Sequence, residues 1–236
     1  MPSKRVPRRT REPRRPAPAG AEPARDRILR AALEVFAERG FDGARTREIA
    51  ERAGANLGLI TYYFKSKEQL WKAAVAGAFA ELQAGLSDAA QPGNGAGELA
   101  WLDRALRQFV HFVARHPEFM RLMNDEGKRD SRRMRWLADR FVRPMSEVVS
   151  AHLARAQAAG LVAPLPEVSL RYIVLGAAGL IFSQAPECTY ITGVDPTDPA
   201  FAERHADALM ALLTGGGQRP RAAQPRRRRP APKSRR

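Results

Sequence analysis

Cysteine is nearly missing from this chain, with Cys188 the only one. An intramolecular disulfide is thereby excluded, and a cysteine-based metal cage lacks ligands. A reducing cytosol is the compartment such usage fits. Histidine is almost as sparse. His111, His116, His152 and His205 form no pair at i, i+3 or i+4 that could hold a metal on one helix face, so they read as incidental. Runs of β-branched residues are scarce while alanine, leucine, arginine and glutamate recur, which points to an all-α fold. Long hydrophobic runs are missing too. The most apolar stretch, Tyr172 to Pro186, is too short to span a bilayer and reads as a buried helix. The N-terminal "MPSKRVPRRTREPRRPAPAG" has charge but no apolar centre, so it is not a secretory signal. There is no phosphate-cradling glycine loop and no nucleophile elbow, and nothing supports an enzyme. No cofactor and no membrane partner are implied.

What is present is size and positive charge. The 236 residues suffice for one large or two modest domains with an apolar core, and the net charge of +15 suggests a polyanionic partner. The location of that charge matters more than its sum. Residues 1–25 carry net +6 and residues 215–236 net +9, which is the whole excess, while residues 26–214 hold 23 basic and 23 acidic side chains. Both ends, taken as 1–21 and 215–236, are rich in proline, arginine and alanine. They cannot bury enough apolar surface to offset the entropy of ordering and read as disordered basic tails. They are either solubilising segments or arms that cling to DNA without sequence preference.

Between the tails the periodicity is helical. Ile28, Ala32, Val35 and Phe36 form one stripe on a helix over 26–39 that Gly40 ends. Thr46 can cap a short helix over about 47–53 with Ile49 and Ala53 inward, and Gly54 allows a sharp turn. Asn56 can cap a third helix of two turns with Ile60 and Phe64 inward. Ser66 and Gln69 make a capping-box pattern ahead of a longer helix striped by Trp71, Val75, Phe79, Leu82 and Leu86. "QPGNGAG", residues 91–97, is a loop by composition. Helical stretches follow at about 98–114, 117–127, 131–159, 167–184 and 199–213, with the Pro186–Pro199 segment expected as a loop.

The second and third helices with their glycine turn make a helix-turn-helix, motif 45–64, which presents its second helix to the major groove. The stretch 56–65, "NLGLITYYFK", contains no acid. Gly58 removes a side chain at the point of closest approach. Thr61 offers a hydroxyl and a methyl. Tyr62 and Tyr63 can reach phosphates. Lys65 and Lys67 flank the next helix start, as Arg45 and Arg47 flank the second helix, where free backbone N–H groups favour anions. The competing reading of the Tyr-Tyr-Phe cluster is core packing, which suits Phe64.

The stretch 27–71 resembles the DNA-binding domain of the TetR family of bacterial transcriptional regulators. The resemblance is carried by Phe36-Ala37-Glu38-Arg39-Gly40-Phe41, by Ile49-Ala50-Glu51-Arg52-Ala53-Gly54 and by Phe64-Lys65-Ser66-Lys67-Glu68-Gln69-Leu70. It implies a homodimer, usually a repressor, that binds an inverted-repeat DNA operator in the bacterial cytoplasm at the nucleoid and answers to a small-molecule effector. It also implies phosphate contacts at Tyr62, Tyr63, Lys67, Arg45 and Thr46, and base contacts near Asn56, Leu57, Gly58 and Thr61. The chain departs from the family pattern at Leu57, a place often polar, at Thr61, often tyrosine, and at Ala55, usually valine. The implied division is a three-helix DNA-binding domain over 22–82 and a helical effector-binding and dimerisation domain over 83–214.

The second half is read mainly from its own residues. Trp101, Phe109, Phe112, Phe119, Met120, Met123, Trp136, Phe141 and Met145 concentrate aromatics and methionines. They are either ordinary core or, for Trp101, Phe109, Phe112, Met120, Met123, Trp136 and Phe141, partly the lining of an apolar effector pocket. Arg104, Arg107, Arg115 and Arg121 either pair with an acidic effector or form a solvated face. Small residues around Gly176 and Ala177 let helices approach closely. By the family resemblance the last two long helices form the dimer interface, through Tyr172, Ile173, Gly176, Ala177 and Leu180 on one and Ala206, Leu209, Met210 and Leu213 on the other. Cys188, placed in a loop, reads as inert. The rival function is a nonspecific, architectural DNA binder that acts mainly through its Arg-rich tails. A third is a helical enzyme or interaction module that merely carries the N-terminal unit.

Overall fold

The computed structural model describes residues 22–89 and 97–215. The expected disordered tails, and residues 91–96 of the expected loop, lie outside the described residues. Among the described residues every regular element is helical: α1 Ala24–Gly43, α2 Thr46–Arg52, α3 Leu57–Phe64, α4 Lys67–Ala89, α5 Glu98–Arg115, α6 Pro117–Glu126, α7 Arg132–Leu137, a π-helical turn Ala138–Val142, α8 Arg143–Ala158, α9 Glu167–Ser183, α10 Ala185–Thr192 and α11 Pro199–Leu213.

The first four helices form as their apolar spacing dictates. Ile28, Ala32, Val35 and Phe36 of α1 are buried, and so are Ile49 and Ala53 at α2, Ile60 and Phe64 on α3, and Trp71, Val75, Phe79 and Leu82 on α4. Burying each large side chain stabilises the fold by roughly 1.5–3 kcal/mol. The breaks are equally local. Gly40 sits at φ 67° and kinks the end of α1, and Gly54 at φ 58° turns α2 into α3. Asn56 Oδ1 accepts from Leu59 N at 2.9 Å to cap α3, and Ser66 Oγ accepts from Gln69 N at 3.1 Å to open α4. Thr46, by contrast, is not a cap: Arg45 holds the N-cap position of α2 without a side-chain cap bond, and Thr46 is the first helical residue.

The rest packs around α5, which touches α4, α8, α9 and α11, while α6 lies between α1 and α9. α4 runs unbroken through residue 82, and one large apolar cluster spans residues of both halves, from Ile28 to Leu209. A smaller cluster of Trp101, Leu102, Ala105, Leu153, Ala156, Val162 and Leu170 fills the far end.

Three expectations are corrected. The continuous helix over 131–159 is interrupted: Pro144 has no N–H to donate, and Arg143 N donates to Ala138 O across a π turn. The Pro186–Pro199 loop contains α10, because Pro186 occupies the first turn, where its missing N–H costs nothing, and Gly193 at φ 72° closes the helix. Cys188 therefore lies on a helix, half-buried, with Sγ 3.6 Å from Val194 O. Finally, α9 is not buried on most sides within one chain, since Val168, Tyr172, Ile173 and Leu180 are exposed. No single helix among the described residues is long and apolar enough to cross a membrane.

Candidate nucleic-acid interface and effector cavity

The helix-turn-helix is assembled by ionic and apolar contacts that leave one face free. Arg52 binds Glu38 through both terminal nitrogens, at 2.7 and 2.9 Å, and so pins α2 to α1. This hydrogen-bonded pairing raises the Arg52 pKa and lowers that of Glu38. Arg52 is thus occupied within the domain. Arg45, Arg47 and Lys65 are exposed, and none of them has a side-chain hydrogen bond or ion pair among the described residues.

Arg45, Thr46, Arg47, Leu57, Thr61, Lys65 and Lys67 line one open cleft with Ala44, Ile60 and Ser66, about 470 Å³ in volume. The cleft joins the start of α2 to α3 and to the start of α4, and no carboxylate lines it. Beside it Asn56, Gly58, Tyr62 and Tyr63 are exposed on α3. Tyr62 is 77% exposed and its ring meets Tyr63 edge-on at 5.3 Å. A tyrosine that open is not core. Phe64, on the opposite side of the helix, is buried under the Arg25 guanidinium.

Several of these residues also have internal roles. The Asn56 side chain is engaged as a cap, which leaves its amide N–H₂ for outside partners. Thr61 Oγ1 donates to Leu57 O at 3.3 Å, so its methyl is the more available group. Lys67 Nζ donates to Asp42 O at 3.1 Å and lies 4.9 Å over the Phe41 ring, tying α4 to the end of α1. A Cβ on Gly58 would come within 3.2 Å of Asn56 Oδ1, so glycine there protects the cap as well as the surface. Lys65 sits at φ 58°, in the left-handed region that costs a lysine about 1–2 kcal/mol. The sequence carries no signal for that strain.

A second feature lies in the C-terminal half. A mostly apolar cavity of about 140 Å³ sits between α5, α8 and α9, where the two apolar clusters meet. Of the residues named for an effector pocket, Trp101 and Phe109 line this cavity; Phe112, Met120, Met123, Trp136 and Phe141 do not. Those five are packing residues: Phe141 stacks on Phe79 at 4.6 Å, Phe112 meets Phe119 at 5.1 Å, Trp136 meets Trp71 at 5.8 Å, Met120 abuts Gly179, and Met123 packs on the main core. Sequence reading missed Leu102, Ala105, Val149 and Arg171 as cavity residues, because a lining shared by three helices has no single period. The expected acid-pairing arginines lie elsewhere. Arg107 binds Asp103, Glu203 and Asp207 and joins α5 to α11, and Arg115 pairs with Glu81 at 3.3 Å. Arg104 and Arg121 are outside the cavity lining. Among the described residues no group of three or more His, Cys, Asp or Glu gathers as a metal site.

The residues named for a subunit interface divide into two groups. Tyr172, Ile173, Gly176 and Leu180 are exposed on α9, with Ala177 half-buried beside them. On α11, Ala206 and Leu209 are buried, and Met210 and Leu213 pack against the chain's own core. The apolar surface α11 leaves free is Ala208, Ala211 and Leu212 instead. These follow a different face from the one chosen by sequence, because α11 docks on α5 through Ala202, Ala206 and Leu209.

An open, acid-free helix-turn-helix face at the N-terminal end of an all-α fold, with a mostly apolar cavity among the later helices, fits a DNA-binding regulator of the helix-turn-helix class. Two family profiles match the chain: "Bacterial regulatory proteins, tetR family" over residues 28–74, and "Tetracyclin repressor-like, C-terminal domain" over residues 99–212. The chain belongs to the TetR family of transcriptional regulators. It is 33% identical over 149 residues to the HTH-type transcriptional repressor NicS of Pseudomonas putida, a match covering 57% of this chain and 66% of NicS. It is 52% identical to the dual regulator CecR of Shigella flexneri over only 52 residues, 22% of this chain and 23% of that one. With the regulator RutR of Escherichia coli it shares 26% over 193 residues, 80% of this chain and 88% of RutR. Among solved structures, the ketosteroid transcriptional regulator KstR2 of Mycobacterium tuberculosis shares the fold with a TM-score of 0.66 at 21% identity, covering 83% of this chain and 95% of that one. PfmR from Thermus thermophilus shares it with a TM-score of 0.64 at 21% identity, over 84% and 100%.

Proposed function

We propose that this protein is a homodimeric, ligand-responsive repressor that reads an inverted-repeat operator through α3. The observation that carries the reading is the acid-free face on which Leu57, Gly58, Thr61, Tyr62 and Tyr63 stand open beside Arg45, Arg47 and Lys65, cations unpaired among the described residues. Cations without internal partners are free to replace the counterions of phosphates. Lys67 and Thr46 position the cleft's walls, and Asn56 the start of the reading helix.

Dimerisation is supported by the open apolar faces of α9 and α11, where Val168, Tyr172, Ile173, Leu180 and Leu212 are exposed together with the small Gly176. Two copies related by a two-fold axis would bury these faces in one four-helix layer and set two copies of α3 to match two half-sites. Ligand response is supported by the cavity at the junction of α5, α8 and α9. An effector that binds one spacing of the subunits better than the other shifts the population toward it and releases the operator. The protein then works at the bacterial nucleoid.

Selection of random duplex DNA by the full chain, read by sequencing, tests this directly. An enriched inverted repeat is the expected result. Tight binding with no enriched sequence, abolished by salt, would reject it and move the function to the basic ends of the chain.

A further inference from the structure

We propose that the cavity takes a small carboxylic acid whose apolar body is about the size of one ring, and that Arg171 receives its carboxylate. This rests on reading the cavity as the effector site, and it names the effector's chemistry.

Apart from Arg171 and a few polar side chains at one side, the lining is apolar: Trp101, Leu102, Ala105, Phe109, Val149 and their neighbours. Arg171, on the second turn of α9, is the only cation in that lining. Its Nη1 donates to Ser146 Oγ on α8, and it has no carboxylate within ion-pair distance among the described residues. Glu167 lines the same wall one turn earlier, yet it is exposed to solvent and forms no ion pair with Arg171. No other charged side chain faces the cavity: α5 and α11 contribute only apolar residues, and α8 adds the hydroxyls of Ser146 and Ser150.

Two other half-buried guanidinium groups of the C-terminal half are met by acids. Arg107 has three and the half-buried Arg133 has Glu126. Arg171 differs from these two: it faces the apolar cavity and its hydrogen-bond partner is a serine hydroxyl. A guanidinium offers five N–H donors, and a single hydroxyl cannot satisfy them. A half-buried cation in an apolar wall is costly unless an anion reaches it, and a carboxylate does so with two parallel bonds. The size of the body follows from the space. The cavity holds about 140 Å³, and an apolar cavity of about 150 Å³ accepts one benzene ring. Ser146 stands beside the guanidinium, and Ser150, one turn on along α8, lines the same cavity; both hydroxyls can donate to the carboxylate.

The test uses the full chain at neutral pH and three acids, benzoate, phenylacetate and hexanoate, each beside its neutral amide. Calorimetric titration measures binding, and release of the selected operator is followed with the same compounds. The expected result is that at least one acid binds about tenfold or more tightly than its amide, the size of a lost charge-assisted pair. Arg171→Gln is expected to erase that preference and Arg171→Lys to keep part of it. Should a variant melt early, the acid-to-amide ratio of the unmodified protein decides alone. Equal binding of acids and amides, or no binding of any of the six, overturns the proposal. The two readings fail separately. A neutral compound that releases the operator would leave the effector site standing and remove the carboxylate. An acid that binds through Arg171 without releasing DNA would keep the carboxylate site and remove its role as effector.

Discussion

Arg45, Arg47 and Lys65 owe their availability to what surrounds them. Of the acids of α1 and α2, Glu34, Glu38 and Glu48 are drawn to Arg52, and no carboxylate lines the cleft, so it keeps its positive charge. Arg47→Ala is expected to weaken DNA binding on every sequence alike and to lower the slope of log affinity against log salt by about 1, as measured by titrations across a salt series. Lys65 combines charge with strain. Lys65→Gly removes a left-handed lysine at φ 58° and also its charge. Thermal unfolding is expected to show stability unchanged or slightly raised, within about 1 kcal/mol, while operator affinity falls. A drop in both would mean that the Lys65 side chain holds the α3–α4 corner.

At the scale of elements, two joints hold the DNA-binding helices to the rest. In the first, the buried Glu126 at the end of α6 accepts from Arg133 Nε at 2.9 Å, and the Arg133 guanidinium lies 4.1 Å over Phe41 at the kinked end of α1. Glu126→Ala leaves that guanidinium without its acid and is expected to cost about 1–3 kcal/mol in chemical denaturation. In the second joint, His116 between α5 and α6 meets Glu118 at 3.2 Å and Glu81 of α4 at 3.0 Å. The hydrogen bond with Glu118, and then that with Glu81, raises the His116 pKa against the opposing effect of burial. A proton held more tightly in the folded chain stabilises it fully below the unfolded histidine value of about 6.5. That contribution fades as pH rises through the higher folded value. The melting temperature of the protein is therefore expected to fall more steeply from mildly acid to mildly alkaline pH than that of His116→Gln. Parallel curves would show that the pair of glutamates does not hold the proton.

For the whole molecule, the decisive surface is the apolar face of α9 and α11. Leu180, 49% exposed, and Leu212, 65% exposed, stand on the two helices. If two copies join there, Leu180→Asp with Leu212→Asp buries unpaired charge in the interface. Sedimentation is expected to show a monomer, and operator affinity should collapse while helix content stays. A variant that remains dimeric would place the interface elsewhere, with the exposed Tyr190 and Ile191 of α10 as the next surface to change.

The helix-turn-helix was legible in the sequence because it rests on neighbours: Asn56 caps three residues on, Gly54 turns where it stands, and Ile60 and Phe64 share a face by spacing alone; the cap expected at Thr46 was not, because Arg45 takes the N-cap position. α10 was missed because the prolines that mark loops are also tolerated in a helix's first turn. Within the cavity, Trp101 and Phe109 were legible as large apolar side chains, whereas Phe112 and Phe141, equally large, are consumed by packing against Phe119 and Phe79. The sequence by itself determined the helical class, the place of α3 in the helix-turn-helix and its acid-free surface, since each depends on contacts within about four residues. Only the tertiary structure decided which aromatic residues line a void, which face of α11 is free, and that Arg171 meets a serine rather than an acid. Those outcomes depend on how helices far apart in the chain are set against one another, and no local period records that.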